Sequence, residues 1–105
     1  MKTQSKLLSQ LKILETLYYQ GNINSTIEQT LDKIISQEFA SAQQQQRELD
    51  RDLKQFEQQY GMLSMDFHQK FHQGNLGDDV DFVEWNAFYE MWVALNRHIE
   101  LLCNT

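Results

Sequence analysis

One apolar seam, running along one stretch of chain and returning along another, limits what this sequence can fold into. From Phe39 the spacing alternates three and four residues through Ala42, Gln46, Leu49, Leu53, Phe56, Tyr60 and Leu63. It resumes with Trp85, Phe88, Trp92, Leu95, Ile99 and Leu102. Stripes of this period are helical, and each needs a second apolar surface to cover it. Two of them joined by a connection predict an antiparallel, coiled-coil-like helical hairpin, and so an all-α fold. Such a hairpin offers much surface to a partner and little room for a catalytic cleft.

Composition supports the same reading. The 105 residues include no proline, and their four glycines fall at 21, 61, 74 and 77. A β fold needs many more turn residues. Hydrophobic residues make up 41%, enough to form a core and to argue against wholesale disorder. A chain of this length makes one small domain, here 1–105.

Within it, an N-terminal helix over 1–20 carries Leu7, Leu11, Leu14 and Tyr18 on one stripe, widened by Leu8, Ile13 and Leu17. Gly21 closes it with a left-handed cap. Ser25-Thr26-Ile27-Glu28 has the spacing of a capping box, and nothing then interrupts a helix before Gly61. The long helix covers 25–60, roughly 54 Å at 1.5 Å per residue. Gln46 is a polar residue on its seam, a position that lowers stability and fixes register. Asp50 and Lys54 form an exposed i,i+4 pair. A connection over 61–79 holds a short helix, capped by Ser64, with Phe67 and Phe71 on one face. The last helix, 80–102, starts among Asp78, Asp79, Asp81 and Glu84, and Asp81 and Glu84 again have capping-box spacing. It is too short to cover the whole long helix. The remainder is left to the first helix or to another chain.

Formal net charge is −6. Residues 1–24 are basic, with Lys2, Lys6 and Lys12 against Glu15, while the rest of the chain is acidic. An acidic body repels phosphate, so nucleic acid is a poor partner beyond weak autoregulatory DNA binding by the first helix. It attracts a basic protein surface instead. The N-terminus lacks the apolar stretch of a signal peptide, and no run approaches the ~18–20 apolar residues of a membrane span. With one cysteine, Cys103, no intramolecular disulfide forms. The expectation is a soluble, cytoplasmic protein without membrane attachment.

Chemistry-bearing constellations are few. His68 and His72 have metal-ligand spacing on the short helix, and Asp66 or the Asp78–Asp81 cluster would add carboxylates. The His-Glu-x-x-His pattern of a zinc hydrolase is absent, since Gln69 and Lys70 stand between them. The bland alternative is a solvated helix face, and no cofactor or metal is called for. The acidic set Asp78, Asp79, Asp81 and Glu84 lacks the spread and central glycine of a calcium loop, and helix capping explains it. Phe82 and Tyr89 sit beside these acids on neighbouring faces, the residue mix of a protein-binding hot spot. Neither a glycine-rich phosphate loop nor a Cys–His nucleophile pair is present, so an enzyme is not expected.

Tyr60-Gly61-Met62, Phe67, Lys70-Phe71, Gly74, Leu76-Gly77-Asp78, Asp81-Phe82-Val83-Glu84-Trp85, Phe88-Tyr89 and Met91 form a pattern. It resembles that of a family of small bacterial proteins, common in cyanobacteria and similar to the antitoxin halves of toxin–antitoxin modules. The similarity extends upstream through Leu17-Tyr18, Gly21 and Leu31-Asp32-Lys33. Similar proteins tend to carry serines and a glutamate where this chain has Leu63-Ser64-Met65-Asp66, and often lack the histidine pair. The resemblance implies a stoichiometric inhibitor that covers a toxin, commonly a nuclease, encoded by a neighbouring gene. The expected partner-binding residues are Asp78, Asp79, Asp81, Phe82, Glu84 and Tyr89. Leu7, Leu11, Leu14 and Tyr18 are the expected route to a homo-oligomer. The alternatives are a self-associating helical adaptor without a toxin, and a small metal-dependent enzyme built on His68, His72 and the aspartates.

Overall fold

A computed structural model describes residues 2–104 and leaves Met1 and Thr105, the ends of the expected domain, outside the described residues. Four helices follow one another: α1 (Lys2–Tyr19), α2 (Ser25–Tyr60), α3 (Ser64–His72) and α4 (Val80–Cys103). The fold is all-α, and α2 packs antiparallel on α4 as the two seams predict. Tyr60 meets Asp81, Asp50 meets Trp92, and Gln46 meets Asn96. The described chain divides into two compact units, one up to Ile35 and one from Ser36 onward, with α2 contributing to both.

The helix ends show how local chemistry sets the boundaries. Beyond α1, Gly21 has φ +74°, its N–H reaches the Tyr18 carbonyl, and the Asn22 N–H reaches that of Leu17 at 2.8 Å. This is the paired-bond C-terminal motif that glycine makes possible. Gly74 repeats it after α3, where the Asn75 N–H bonds the Lys70 carbonyl. A Cβ would meet no neighbour at either glycine, so backbone conformation, not crowding, selects the residue.

Three of the expected caps are displaced. At the start of α2 the side chain of Asn24, not Ser25, accepts the N–H of Ile27 at 2.9 Å. Asparagine one position upstream does what the expected capping box would have done. At α4 the cap is Asp79, whose Oδ1 accepts from the Asp81 N–H at 2.9 Å, which leaves Asp81 free to face α2. At α3 the N-cap position is Leu63, with extended backbone and no side-chain cap, and Ser64 is the first helical residue. Leu63 is therefore not part of the seam. The helix has already ended, and the side chain is 60% exposed.

The core lies in the second unit. Trp85 and Phe67 are wholly buried, and with Leu53 they form its centre. Phe56, Tyr60, Met62, Phe71, Leu76, Phe82, Phe88, Tyr89 and Trp92 pack around them. Phe67 lies parallel to Trp85, with ring centroids 3.8 Å apart, and Phe56 and Tyr60 stack near the same indole from α2. Burying each such ring contributes roughly 1.5–3 kcal/mol, and each ring pair adds about 0.5–1.5 kcal/mol. Further along, Ala42 and Leu49 are buried where α2 meets α4. The polar seam position Gln46 donates to Asn96 Oδ1 at 2.8 Å, which ties the register of the two helices.

The first unit is packed more sparely. None of its described residues is fully buried; Leu14, Leu17, Ile23, Ile27 and Ile35 are half-buried. Leu11, Leu14, Tyr18, Tyr19, Ile23 and Leu31, with Glu15 and Glu28, line an open groove of about 420 Å3 between α1 and the first turns of α2.

Replacing Leu53 with aspartate places an unpaired charge in the core of the second unit. Leu53→Asp should lower its unfolding free energy by about 3–5 kcal/mol. A urea melt followed by tryptophan fluorescence reads this unit directly, because both tryptophans lie on α4. An unchanged midpoint would contradict the packing of α2 on α4.

Candidate functional site

Around the central indole the second unit carries a chain of polar contacts that fixes three helices against one another. Trp85 Nε1–H donates to Ser64 Oγ at 2.9 Å. The Ser64 hydroxyl donates in turn to Glu57 Oε2 at 2.8 Å, and the Ser64 backbone N–H reaches the same oxygen at 2.9 Å. Glu57, from α2, thus supplies the acceptor that the N-terminus of α3 needs, where a carboxylate also suits the helix dipole. Ser64 is the one buried polar residue of the described chain, and no buried side-chain nitrogen or oxygen there lacks a partner.

Two further bonds join α2 to α4. Trp92 Nε1–H donates to Asp50 Oδ1 at 2.7 Å. Asp50 is thereby turned toward α4 and half-buried, in place of the exposed pairing with Lys54 that the sequence suggests. The Tyr60 hydroxyl donates to Asp81 Oδ2 at 2.5 Å. That bond, burial, and the negative charge of Asp81 and Asp79 push the Tyr60 phenol from 10.0 up to about 12. An open, mostly apolar groove of about 290 Å3 runs beside these contacts, lined by Asp50, Leu53, Lys54, Glu57, Leu63, Ser64, Met65, Tyr89 and Trp92.

The expected partner-binding residues divide into two groups. Asp78, Asp79 and Glu84 are exposed at the start of α4, with Asp79 occupied as the cap. Asp81, Phe82 and Tyr89 are half-buried and already engaged within the chain. Phe82 packs edge-on against Tyr60 and near Phe67, while Tyr89 stacks on Trp92 and lies 4.8 Å from the His68 ring. Large apolar side chains near this acidic edge that do face solvent are Val80, 77% exposed, and Val83, 51% exposed. On α1, Leu7, Leu11 and Tyr18 are exposed and Leu14 is half-buried, and Leu8, Ile13 and Tyr19 extend the exposed apolar surface.

The histidine pair acquires a third member that spacing does not reveal. His68 Nε2 lies 3.6 Å from Glu90 Oε1, and His72 Nε2 lies 3.4 Å from the same oxygen. Asp66 and the Asp78–Asp81 cluster do not join this group, whose ligand atoms all lie within 4.8 Å of one another. The available signal was that Asn86 and Glu90 repeat on α4 the four-residue spacing of His68 and His72 on α3. Seeing them meet required the register between the two helices. Buried Ser64 and half-buried Glu57 are likewise polar partners that periodicity does not single out.

No protein-family model, curated protein or solved structure matches this chain. No helix among the described residues is long and apolar enough to cross a membrane.

The Tyr60 shift has a consequence in alkali. A phenol whose folded pKa is raised holds its proton longer in the native state than in the unfolded chain. Its contribution is complete below pH 10.0 and is lost as pH rises through about 12. The stability difference between wild type and Tyr60→Phe should therefore hold constant up to pH 10.0 and shrink toward about 12. Denaturant melts across that window measure it. A difference independent of pH there would place Tyr60 outside the influence of Asp81.

Proposed function

We propose that this protein is a helical protein-binding module that neutralises a cognate, basic, nuclease-type toxin by covering it, in the manner of an antitoxin. The observation that carries this reading is the apolar surface left open on α1. Leu7, Leu8, Leu11, Ile13, Tyr18 and Tyr19 are each between 54% and 77% exposed, on a helix whose own unit has no fully buried residue among those described. Leu7, Leu11 and Tyr18 share one stripe with half-buried Leu14. Exposed apolar surface of this kind marks interaction sites in stable proteins, and leucine and tyrosine side chains give a partner area to bury. A partner that covers this face would add the burial that the first unit lacks.

Charge supplies the second part. The exposed carboxylates of Asp78, Asp79 and Glu84 draw a basic surface toward the chain and speed encounter, whereas anchoring belongs to apolar contacts. The resemblance to antitoxin-like proteins gives the partner its class, a toxin encoded beside this chain and acting with it in the cytoplasm. Self-association through Leu7, Leu11, Leu14 and Tyr18 is the rival use of the same face, and would make the protein a helical adaptor.

Co-expression with the product of the neighbouring gene, followed by purification and light scattering, tests the reading. Wild type should form a stoichiometric heterocomplex. Leu7→Glu with Leu11→Glu should abolish it while helix content stays unchanged. Asp78→Asn with Glu84→Gln should slow association and flatten its salt dependence. A wild-type chain that forms only homo-oligomers, dispersed by the same α1 variant, would favour the adaptor. Full complex formation by the folded α1 variant would remove α1 from the interface.

A further inference from the structure

We propose that His68 and His72 of α3 and Glu90 of α4 form a binding site for a divalent transition cation of the zinc type. Two imidazoles and one carboxylate are a ligand set that zinc takes at open sites, with the fourth position left to water. The nitrogen donors select against magnesium and calcium, which prefer oxygen alone. Geometry agrees with the chemistry. Zinc–ligand bonds of about 2.0–2.1 Å place the ligand atoms of a tetrahedron roughly 3.3–3.4 Å apart. Here the two imidazole Nε2 atoms lie 3.6 and 3.4 Å from one oxygen of Glu90, and all the ligand atoms lie within 4.8 Å of one another. Adjustment of the exposed His72 and Glu90 side chains therefore brings all three onto a common ion.

Packing anchors one member of the set, His68, before any ion arrives, while His72 and Glu90 are exposed. His68 is partly buried, with its ring 4.8 Å from that of Tyr89 and 4.3 Å from that of His72. Tyr89 is itself stacked on Trp92, which is bonded to Asp50. Asn86 Oδ1 lies 3.2 Å from His72 Nε2, so that nitrogen gives up this contact and its proton when it takes the ion. Bound here, the cation would join α3 to α4 across the face of the aromatic core. Pairing of a protonated histidine with a carboxylate is the competing account. A second such pair in the chain, His98 with Glu38 at 3.0 Å, has one histidine only and serves as an internal control.

The test uses the full-length chain without an affinity tag, titrated calorimetrically with zinc alone. One ion per chain should bind, and a hundredfold excess over Kd should raise the melting temperature by on the order of 10 °C. His72→Gln and Glu90→Gln, both at exposed positions, should each weaken binding by at least the roughly 10–100-fold that loss of an outer-shell partner alone can cost. His98→Gln should bind as wild type does. The proposal is overturned if wild type takes up no zinc, or if His72→Gln and Glu90→Gln bind it as well as wild type does. Melting temperatures without metal show whether each variant is folded, so that loss of the site is separated from loss of the fold.

Discussion

Everything in the second unit depends on one indole. Trp85 is wholly buried, lies parallel to Phe67 at 3.8 Å, and donates its single N–H to Ser64. An indole is large enough to join the apolar surfaces of three helices, and its one polar atom must find a partner when buried. Ser64 meets that need only because its own hydroxyl and backbone N–H are anchored on Glu57. The tryptophan therefore fixes α4 to α3, and the serine fixes α3 to α2. Apolar area supplies most of the stabilisation, while this polar relay selects one arrangement among several apolar ones.

The same relay accounts for features that look peripheral. With α3 held at its first residue, Phe67 is directed inward and His68 beside it toward α4. The histidine pair and Glu90 then come together as a consequence of core packing. Tyr60 and Asp81 close the other end of the α2–α4 contact, which is why Asp81 serves α2 and Asp79 serves as the cap. An acidic edge and a donor cluster thus stand on the unit that holds the buried core. The exposed apolar surface stands on α1, in a unit with no fully buried residue among those described. The two units thus differ in packing: the buried aromatic core lies in one, and the exposed leucines and tyrosines of α1 lie in the other.

Helix number, order and limits were legible in the sequence because they rest on local physics. The three-four periodicity of Leu49, Leu53, Phe56 and Tyr60, the absence of proline, and the glycines at 21 and 74 act within a few residues of themselves. Their consequences do not depend on what packs nearby. The antiparallel pairing of α2 with α4 followed as well, since a stripe must be covered. Where the sequence misled, two local solutions were nearly equal in energy. Asn24 and Ser25 can each cap α2, and Asp79 and Asp81 can each cap α4. Tertiary contact decided between the aspartates by giving Asp81 to Tyr60.

What the sequence determined by itself was the class of fold, the helix boundaries and the acidic balance of the body. Only the tertiary structure decided which side chains meet across helices. Glu90 with His68 and His72, Glu57 with Ser64, and Asp50 with Trp92 are separated by between 7 and 42 residues. No spacing rule links such partners. Their meeting depends on interhelical register, and that is set by how the rings around Trp85 pack.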